Sequence, residues 1–342
     1  MWLLLRYKGD GPHGAARCVT VFNESLILPV NQFPHRALPA RFRRARVLIV
    51  GCGDVGQRIA TQLQGGAPLR SHGPRVLALT SSAVKAQSLQ QRGILPLVGN
   101  LDDVRSLRRL RGIANYVIHM APPPGQGGAD ARTAHLVQVL RQGRLPRSLV
   151  YGSTTGVYGD CGGAWVDETQ AVNPSTDRAR RRVDAEQQVL NFGKDSGLRI
   201  QVLRIPGIYA PNRDGGTPRQ RLLKGLPVLE HHDDVFTNHI HADDLAQIAR
   251  AAMWGGKPQR KYHASDDTQL RMGDYFDLAA DIYGLPRPPR VTREQAQQTL
   301  PPVMLSFMGE SRRLRNQRIK QELRVQLQFP TVEDGLRHQS PA

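Results

Sequence analysis

Acidic residues are in short supply here. Asp and Glu number 29 against 47 Lys and Arg, which leaves this chain of 342 residues a formal charge of +18. Such a balance raises the question of nucleic acid. The basic residues, mostly arginine, are nevertheless scattered, with local clusters at Arg41 to Arg46, Arg178 to Arg182 and Arg312 to Arg318, and no nucleic-acid signature accompanies them. They read as solvated faces and as a field that draws in anionic small molecules, so no nucleic-acid partner is expected. Cysteine is equally sparse. Cys18, Cys52 and Cys161 are too far apart for a disulfide framework or a metal pattern, and this usage fits a reducing cytoplasm with no metal. Long apolar runs are missing too. Trp2-Leu3-Leu4-Leu5 stops at Arg6, far short of the roughly 20 residues that cross a bilayer, and there is no signal-peptide core. No membrane partner is expected. Internal repeats and low-complexity tracts are also absent.

The regular patterning begins at Arg46. Residues 1–44 mix Gly, Pro, His and Arg without a period and read as a poorly ordered extension, or as an artefact of the assigned start. From there short apolar runs (46–50, 75–80, 95–98, 116–120, 148–152, 200–204) alternate with helical patterns (55–64, 84–92, 103–111, 130–142, 177–193). Repeated β-α units predict an α/β fold, a doubly wound parallel sheet with helices on both faces and ligands at the strand C-terminal edge. After Arg204 the alternation breaks. Pro/Gly-rich loops lead to a helix at 243–254, a strand at 260–264 and helices at 271–283, 292–299 and 313–323. The expected division is a sheet domain of 45–204 plus 236–264 and a smaller substrate lobe of 205–235 plus 265–336.

The first strand runs straight into Gly51-Cys52-Gly53-Asp54-Val55-Gly56. In a G-x-G-x-x-G turn between strand and helix, Gly51 makes the tight bend, Gly53 lets the backbone approach a pyrophosphate, and Gly56 allows close helix–strand packing. The helix N-terminus faces the phosphate charge. The turn therefore implies a dinucleotide. Cys52, between two glycines, reads as small filler rather than a nucleophile. The second strand ends in Thr80-Ser81-Ser82 with Lys85 nearby, where an NAD site would carry a ribose-binding acid. These hydroxyls suit a 2′-phosphate, so NADP is preferred and NAD stays open. A helix N-cap is an equally good use for them. At the third strand end, Asn100 and Leu101 are candidates for an adenine contact, with Asp102 or Asp103 capping the next helix. At the fourth, Met120, Ala121 and Pro122 open a proline-stiffened wall that ends at Gly125.

These segments, in this order, resemble the extended short-chain dehydrogenase/reductase superfamily, specifically its NAD-dependent epimerase/dehydratase type. Tyr151 to Gly159, Asp167-Glu168-Thr169, Leu203 to Tyr209 and His239 to Ala246 continue the likeness, from about Arg46 to about Leu336. The resemblance implies a Rossmann-type, NAD(P)-binding oxidoreductase or epimerase acting on a carbonyl or hydroxyl group of a small molecule, for example an anionic, nucleotide-sugar-like one. It also implies a monomer or homodimer. Family chemistry uses a Ser or Thr at the fifth strand end, here Thr154, and a Y-x-x-x-K pair on the next helix. Counted back from Glu186, the Lys position is Arg182 and the Tyr position Arg178, so the acid/base Tyr is absent. The Asp-Glu pair of the sugar-nucleotide dehydratases is replaced by Thr155 and Gly156. Tyr158 is the candidate replacement proton donor, with His119 more remote. Arg182 is a candidate ribose donor, and Ile205-Pro206-Gly207 falls where the family packs backbone on the nicotinamide. Asn238, His239 and His241 are weighed as pocket groups, and His263, Asp266 and Asp267 as caps for the 271–283 helix. The lost dyad leaves a second reading open, a non-catalytic NADP(H)-binding redox sensor or regulatory module.

Overall fold

The computed structural model describes residues 44–65 and 73–338. The expected N-terminal extension therefore lies outside the described residues, apart from Arg44. In chain order the elements are β1 (Arg46–Val50), α1 (Asp54–Leu63), β2 (Arg75–Thr80), α2 (Ala83–Gln91), β3 (Leu95–Val98), β4 (Tyr116–His119), α3 (Ala131–Leu140), β5 (Ser148–Thr154) and β6 (Trp165–Val166). They continue with α4 (Asp177–Ser196), β7 (Arg199–Ile205), β8 (Gly207–Tyr209), α5 (Arg219–Leu223), β9 (Val228–Leu229), β10 (His239–His241) and α6 (Ala242–Gly255). The last are β11 (Arg260–His263), α7 (Met272–Tyr283), β12 (Arg290–Val291), α8 (Arg293–Thr299), α9 (Pro302–Met308), β13 (Arg313–Leu314), α10 (Gln317–Gln321) and α11 (Val332–Arg337).

Seven strands form one sheet in the order β11-β7-β5-β4-β1-β2-β3, with every pairing parallel. This is a Rossmann-type α/β fold. Strand periodicity shows how the core is divided. Val47 and Ile49 of β1 point into one apolar layer, shared with Ile59 of α1 and Leu245 and Ile248 of α6. Leu48 and Val50 point into the other, shared with Leu136 of α3 and Val189 and Phe192 of α4. Burial on both faces is why β1 reads as an unbroken apolar run. A third cluster, including Tyr209, Leu222, Val228, Phe276 and Leu336, gathers among the later elements. The strand order reverses between β1 and β4, so the C-terminal ends of these two strands flank the crevice where such sheets bind ligands.

Two sequence expectations change. The stretch 103–111 forms a 3-10 turn at Val104–Leu110 rather than an α-helix. The helix expected over 313–323 shrinks to Gln317–Gln321, because Arg313 and Leu314 pair in parallel with Trp165 and Val166. The backbone N–H of Arg313 donates to Ala164 O (3.0 Å) and that of Arg315 to Val166 O (2.9 Å), long-range bonds that outweigh local helical preference. No helix among the described residues is long and apolar enough to cross a membrane.

Candidate functional site

The glycine turn sits at the C-terminal end of β1. Gly51 has φ +89°, and a Cβ there would lie 2.3 Å from Ala121 N, so the tight bend leaves room only for hydrogen. A Cβ on Gly56 would come within 2.8 Å of Gly51 O, which accounts for the close approach of α1 to the strand. Gly53 is different. It is the N-cap residue of α1, and a Cβ on it would meet nothing within 4 Å. The space over the helix N-terminus is open, which is what a pyrophosphate needs, and the residues fit the dinucleotide that the motif implies. Asp54 is committed to Arg58 (3.1 Å), and Arg58 to Asp243 (2.7 Å), which pins α1 to α6. Val55 lines the large cavity beyond β4 and β5. Cys52 is buried, and desolvation pushes its thiol up to about 11, so it stays protonated at neutral pH.

At the end of β2, Thr80 Oγ1 accepts from Ser82 N (3.2 Å) and Ser82 Oγ accepts from Lys85 N (3.3 Å), capping α2. Ser81 is exposed. Lys85 and Arg92 are both close enough to Cys52 for their charges to act against its desolvation. Arg92, the C-cap residue of α2, lines a groove with Asp54, Gln57 and Arg58 of α1, a placement that only the fold reveals. Asn100 Oδ1 accepts from Asp102 N (3.1 Å) and shapes its own turn, while Leu101 is buried and its carbonyl accepts from His135 Nδ1 (2.7 Å). Asp103 caps the 3-10 turn, and Asp102 pairs with Arg132 (2.7 Å).

This cavity, at the C-terminal ends of β4 and β5, has a volume of about 900 Å³. Its walls come from Met120 and the Pro122–Gly125 segment, Gly152–Gly156, the first turns of α4, Ile205–Tyr209, and from α5 and α7. Ala121, buried, lies just behind this wall. Thr154 stands at the mouth of β5, with Oγ1 accepting from Gly156 N (3.2 Å). Arg182 lies one helical turn after Arg178. Its Nη1 donates to Gly152 O (2.8 Å) and to the Tyr151 hydroxyl (3.0 Å). That hydroxyl is buried, and its pKa rises to about 12 through desolvation, which the Arg182 charge opposes. The cavity is strongly cationic. Among the described residues, Arg178, Arg181, Arg182, Arg213, Arg221 and Arg312 line it against a single carboxylate, Glu310.

Tyr158 needs correction as a proton donor. It is 1 % exposed and lies outside the cavity lining. Its hydroxyl is held by Arg204 Nη1 (2.7 Å) and His263 Nε2 (2.5 Å) in a buried network. Arg204 in turn pairs with Glu186 (2.8 Å), which accepts from Ser153 Oγ (2.6 Å). Apart from Ser153, which lines the cavity, this network braces β5, α4, β7 and β11. His119 is likewise buried, bonded to Thr133 Oγ1 (3.0 Å), and desolvation takes its pKa down to about 3. Asn238 lines the cavity, its amide bonded to Arg312 O (2.9 Å) and Leu314 N (3.2 Å), whereas His241 caps α6. His239 does line the cavity, against Tyr275 with ring centroids 4.2 Å apart, and burial holds it neutral with a pKa of about 3. The expected caps for α7 are not caps: its N-cap residue is Arg271, His263 belongs to the buried network, and Asp266 and Asp267 bond to Thr268 N (3.0 Å) and Asn316 Nδ2 (2.8 Å).

Residues 47–265 match the family model described as NAD dependent epimerase/dehydratase family. The chain belongs to this family. Solved structures of the same fold include a conserved protein of unknown function from Silicibacter pomeroyi (30 % identity, TM-score 0.69, 85 % of this chain and 96 % of that one). A UDP-glucose 4-epimerase from Thermotoga maritima is similar at 18 % identity and TM-score 0.68, over 85 % of this chain and 96 % of its own. A dTDP-glucose 4,6-dehydratase from Streptomyces venezuelae, solved with NAD bound, is similar at 20 % identity and TM-score 0.68, over 85 % and 94 %. No curated protein matches.

Proposed function

We propose that this chain is an NAD(P)-dependent oxidoreductase or epimerase acting on a carbonyl or hydroxyl of an anionic small molecule in the reducing cytoplasm. The observation that carries this reading is a juxtaposition. The open turn over Gly53 and the arginine-lined cavity share one edge of the sheet. Bound there, a nicotinamide would supply or accept a hydride. Gly51 to Gly56 would hold the pyrophosphate, with Ile205-Pro206-Gly207 and Met120 beside the nicotinamide end. Ser81, Ser82, Lys85 and Arg92 support preference for a 2′-phosphate.

The chain's own groups divide the remaining work. Thr154 accepts from Gly156 N, which leaves its hydroxyl proton for a substrate oxygen. A guanidinium offers hydrogen-bond donors only and does not serve as a base, so neither Arg178 nor Arg182 replaces the missing Tyr. What they offer is fixed positive charge where negative charge develops on the substrate, without proton exchange. The same loss of a titrating dyad favours a second reading, an NADP(H)-binding module without turnover.

The test is direct. NADPH and NADH are titrated against the protein, and carbonyl compounds are then screened for NADPH oxidation. Nucleotide binding followed by net NADPH oxidation, or by epimerisation of a hydroxy compound without net oxidation, that Thr154→Val abolishes supports the enzyme. Tight NADPH binding with no turnover supports the sensor. Failure of both nucleotides to bind overturns the proposal.

A further inference from the structure

Two arginines of the cavity lack a polar partner, one exposed and one part-buried. Arg178 is the second residue of the 20-residue helix α4, where the helix dipole disfavours a cation. The one acid of that first turn, Asp177, is already paired with Arg180 (3.1 Å). The Arg178 side chain is exposed, and among the described residues that side chain makes neither an ion pair nor a hydrogen bond. Its guanidinium rests 5.4 Å from the centre of the Phe307 ring, itself half exposed. On the wall built by the later elements, Arg221 of α5 lies 4.3 Å over the Phe276 ring. Its Nε and Nη2 are buried without a hydrogen-bond partner, and desolvation pulls its pKa down. A buried, unpartnered guanidinium is costly, and ring stacking returns only part of that cost.

Each of the other cations of the cavity has at least one acceptor, although Arg181 Nε and Arg312 Nε are also buried without one. Arg181 donates to Gly127 O, Arg182 to Gly152 O, Arg213 to Ile208 O, and Arg312 to Gly159 O and Glu310. Glu310 is satisfied by Arg312 and Ser175, so it cannot neutralise either free cation. Arg178, on the sheet side, and Arg221, beside α7, are left with no side-chain hydrogen bond among the described residues.

From this we infer that the substrate carries two separate acid groups, carboxylate or phosphate, one held by Arg178 at the start of α4 and the other by Arg221. The Arg178 subsite lies next to the reacting centre, because Arg178 occupies the position of the family's Tyr. Arginine's planar fork suits both acids. The inference rests on the reading of this cavity as the substrate site.

The experiment is a calorimetric titration, at constant ionic strength, with linear α,ω-dicarboxylates from malonate to suberate and with monocarboxylates of equal length. At least one diacid should bind tenfold or more tighter than its monoacid. Arg178→Met and Arg221→Met should each remove that advantage, while leaving the far-ultraviolet circular dichroism and NADPH affinity unchanged. A matching series with one carboxylate replaced by phosphonate identifies the preferred acid. If no diacid reaches tenfold, or if either variant keeps the advantage, the inference is overturned. NADPH binding measured on the same samples separates the outcomes: its absence in the wild type sinks the proposed function, whereas a missing diacid advantage beside intact NADPH binding sinks only the dianion.

Discussion

Substituting Gly51 and Gly53 separately by alanine distinguishes a glycine kept for the fold from one kept for a ligand. At Gly51 the φ of +89° is left-handed, which costs an L-residue about 1–2 kcal/mol. The new Cβ would sit 2.3 Å from Ala121 N and 2.6 Å from Ala121 Cα, backbone atoms of a segment hydrogen-bonded to Val50. Relieving such overpacking costs about 1–3 kcal/mol more. Gly51→Ala should therefore lose about 2–5 kcal/mol, a large share of a typical domain's stability of roughly 5–15 kcal/mol. Gly53→Ala meets no such obstacle, since its backbone is extended and nothing lies within 4 Å of the added methyl. Its stability should stay within about 1 kcal/mol of the wild type's, since the reduced chain entropy of the unfolded state is offset by alanine's weaker N-capping. The methyl does, however, enter the space assigned to the pyrophosphate, and NADPH affinity should fall at least tenfold, about 1.4 kcal/mol. Urea unfolding without nucleotide gives the first quantity and calorimetric titration the second. A Gly53→Ala protein that binds NADPH like the wild type would show that the turn does not cradle a dinucleotide.

The remaining predictions concern the buried network, the acid limb and the cofactor. Glu186→Gln leaves the Arg204 guanidinium uncompensated with its side chain 0 % exposed, and should cost about 3–5 kcal/mol in urea unfolding; a loss under about 1 kcal/mol would remove the network from the core's supports. His119 has its pKa depressed to about 3 by burial, below the unfolded value of about 6.5. Its contribution is thus complete above pH 6.5 and is lost as pH falls toward 3, with a slope of about 1.4 kcal/mol per pH unit. His119→Asn should flatten the pH–stability curve by that slope relative to the wild type, and an unchanged slope would contradict the neutral buried state. Lys85→Ala and Arg92→Ala should each weaken NADPH binding several-fold with NADH unaffected; equal losses for both nucleotides would speak against a 2′-phosphate subsite.

Much of the architecture was legible in the residues themselves because local patterns carry it. Unbroken apolar runs specify strands buried on both faces, and the glycines at Gly51, Gly53 and Gly56 are spaced by the geometry of one turn. The place of Tyr158 was not legible. A tyrosine hydroxyl near the β5 end has the right chemistry for a proton donor, and only the packing of β7 and β11 shows that Arg204 and His263 claim it. Nor could the strand at Arg313–Leu314 be seen, since its partner lies at Trp165–Val166, far away in the chain.

The sequence by itself determined the sheet and the glycine turn after β1, because each depends on residues within a few positions of one another. Tertiary structure decided which charges are free. Among the arginines lining the cavity, all but Arg178 and Arg221 are occupied by carbonyls or carboxylates, most of them brought in from other elements. Whether a cation is satisfied depends on distances of about 3 Å across the fold, and no spacing along the chain encodes them.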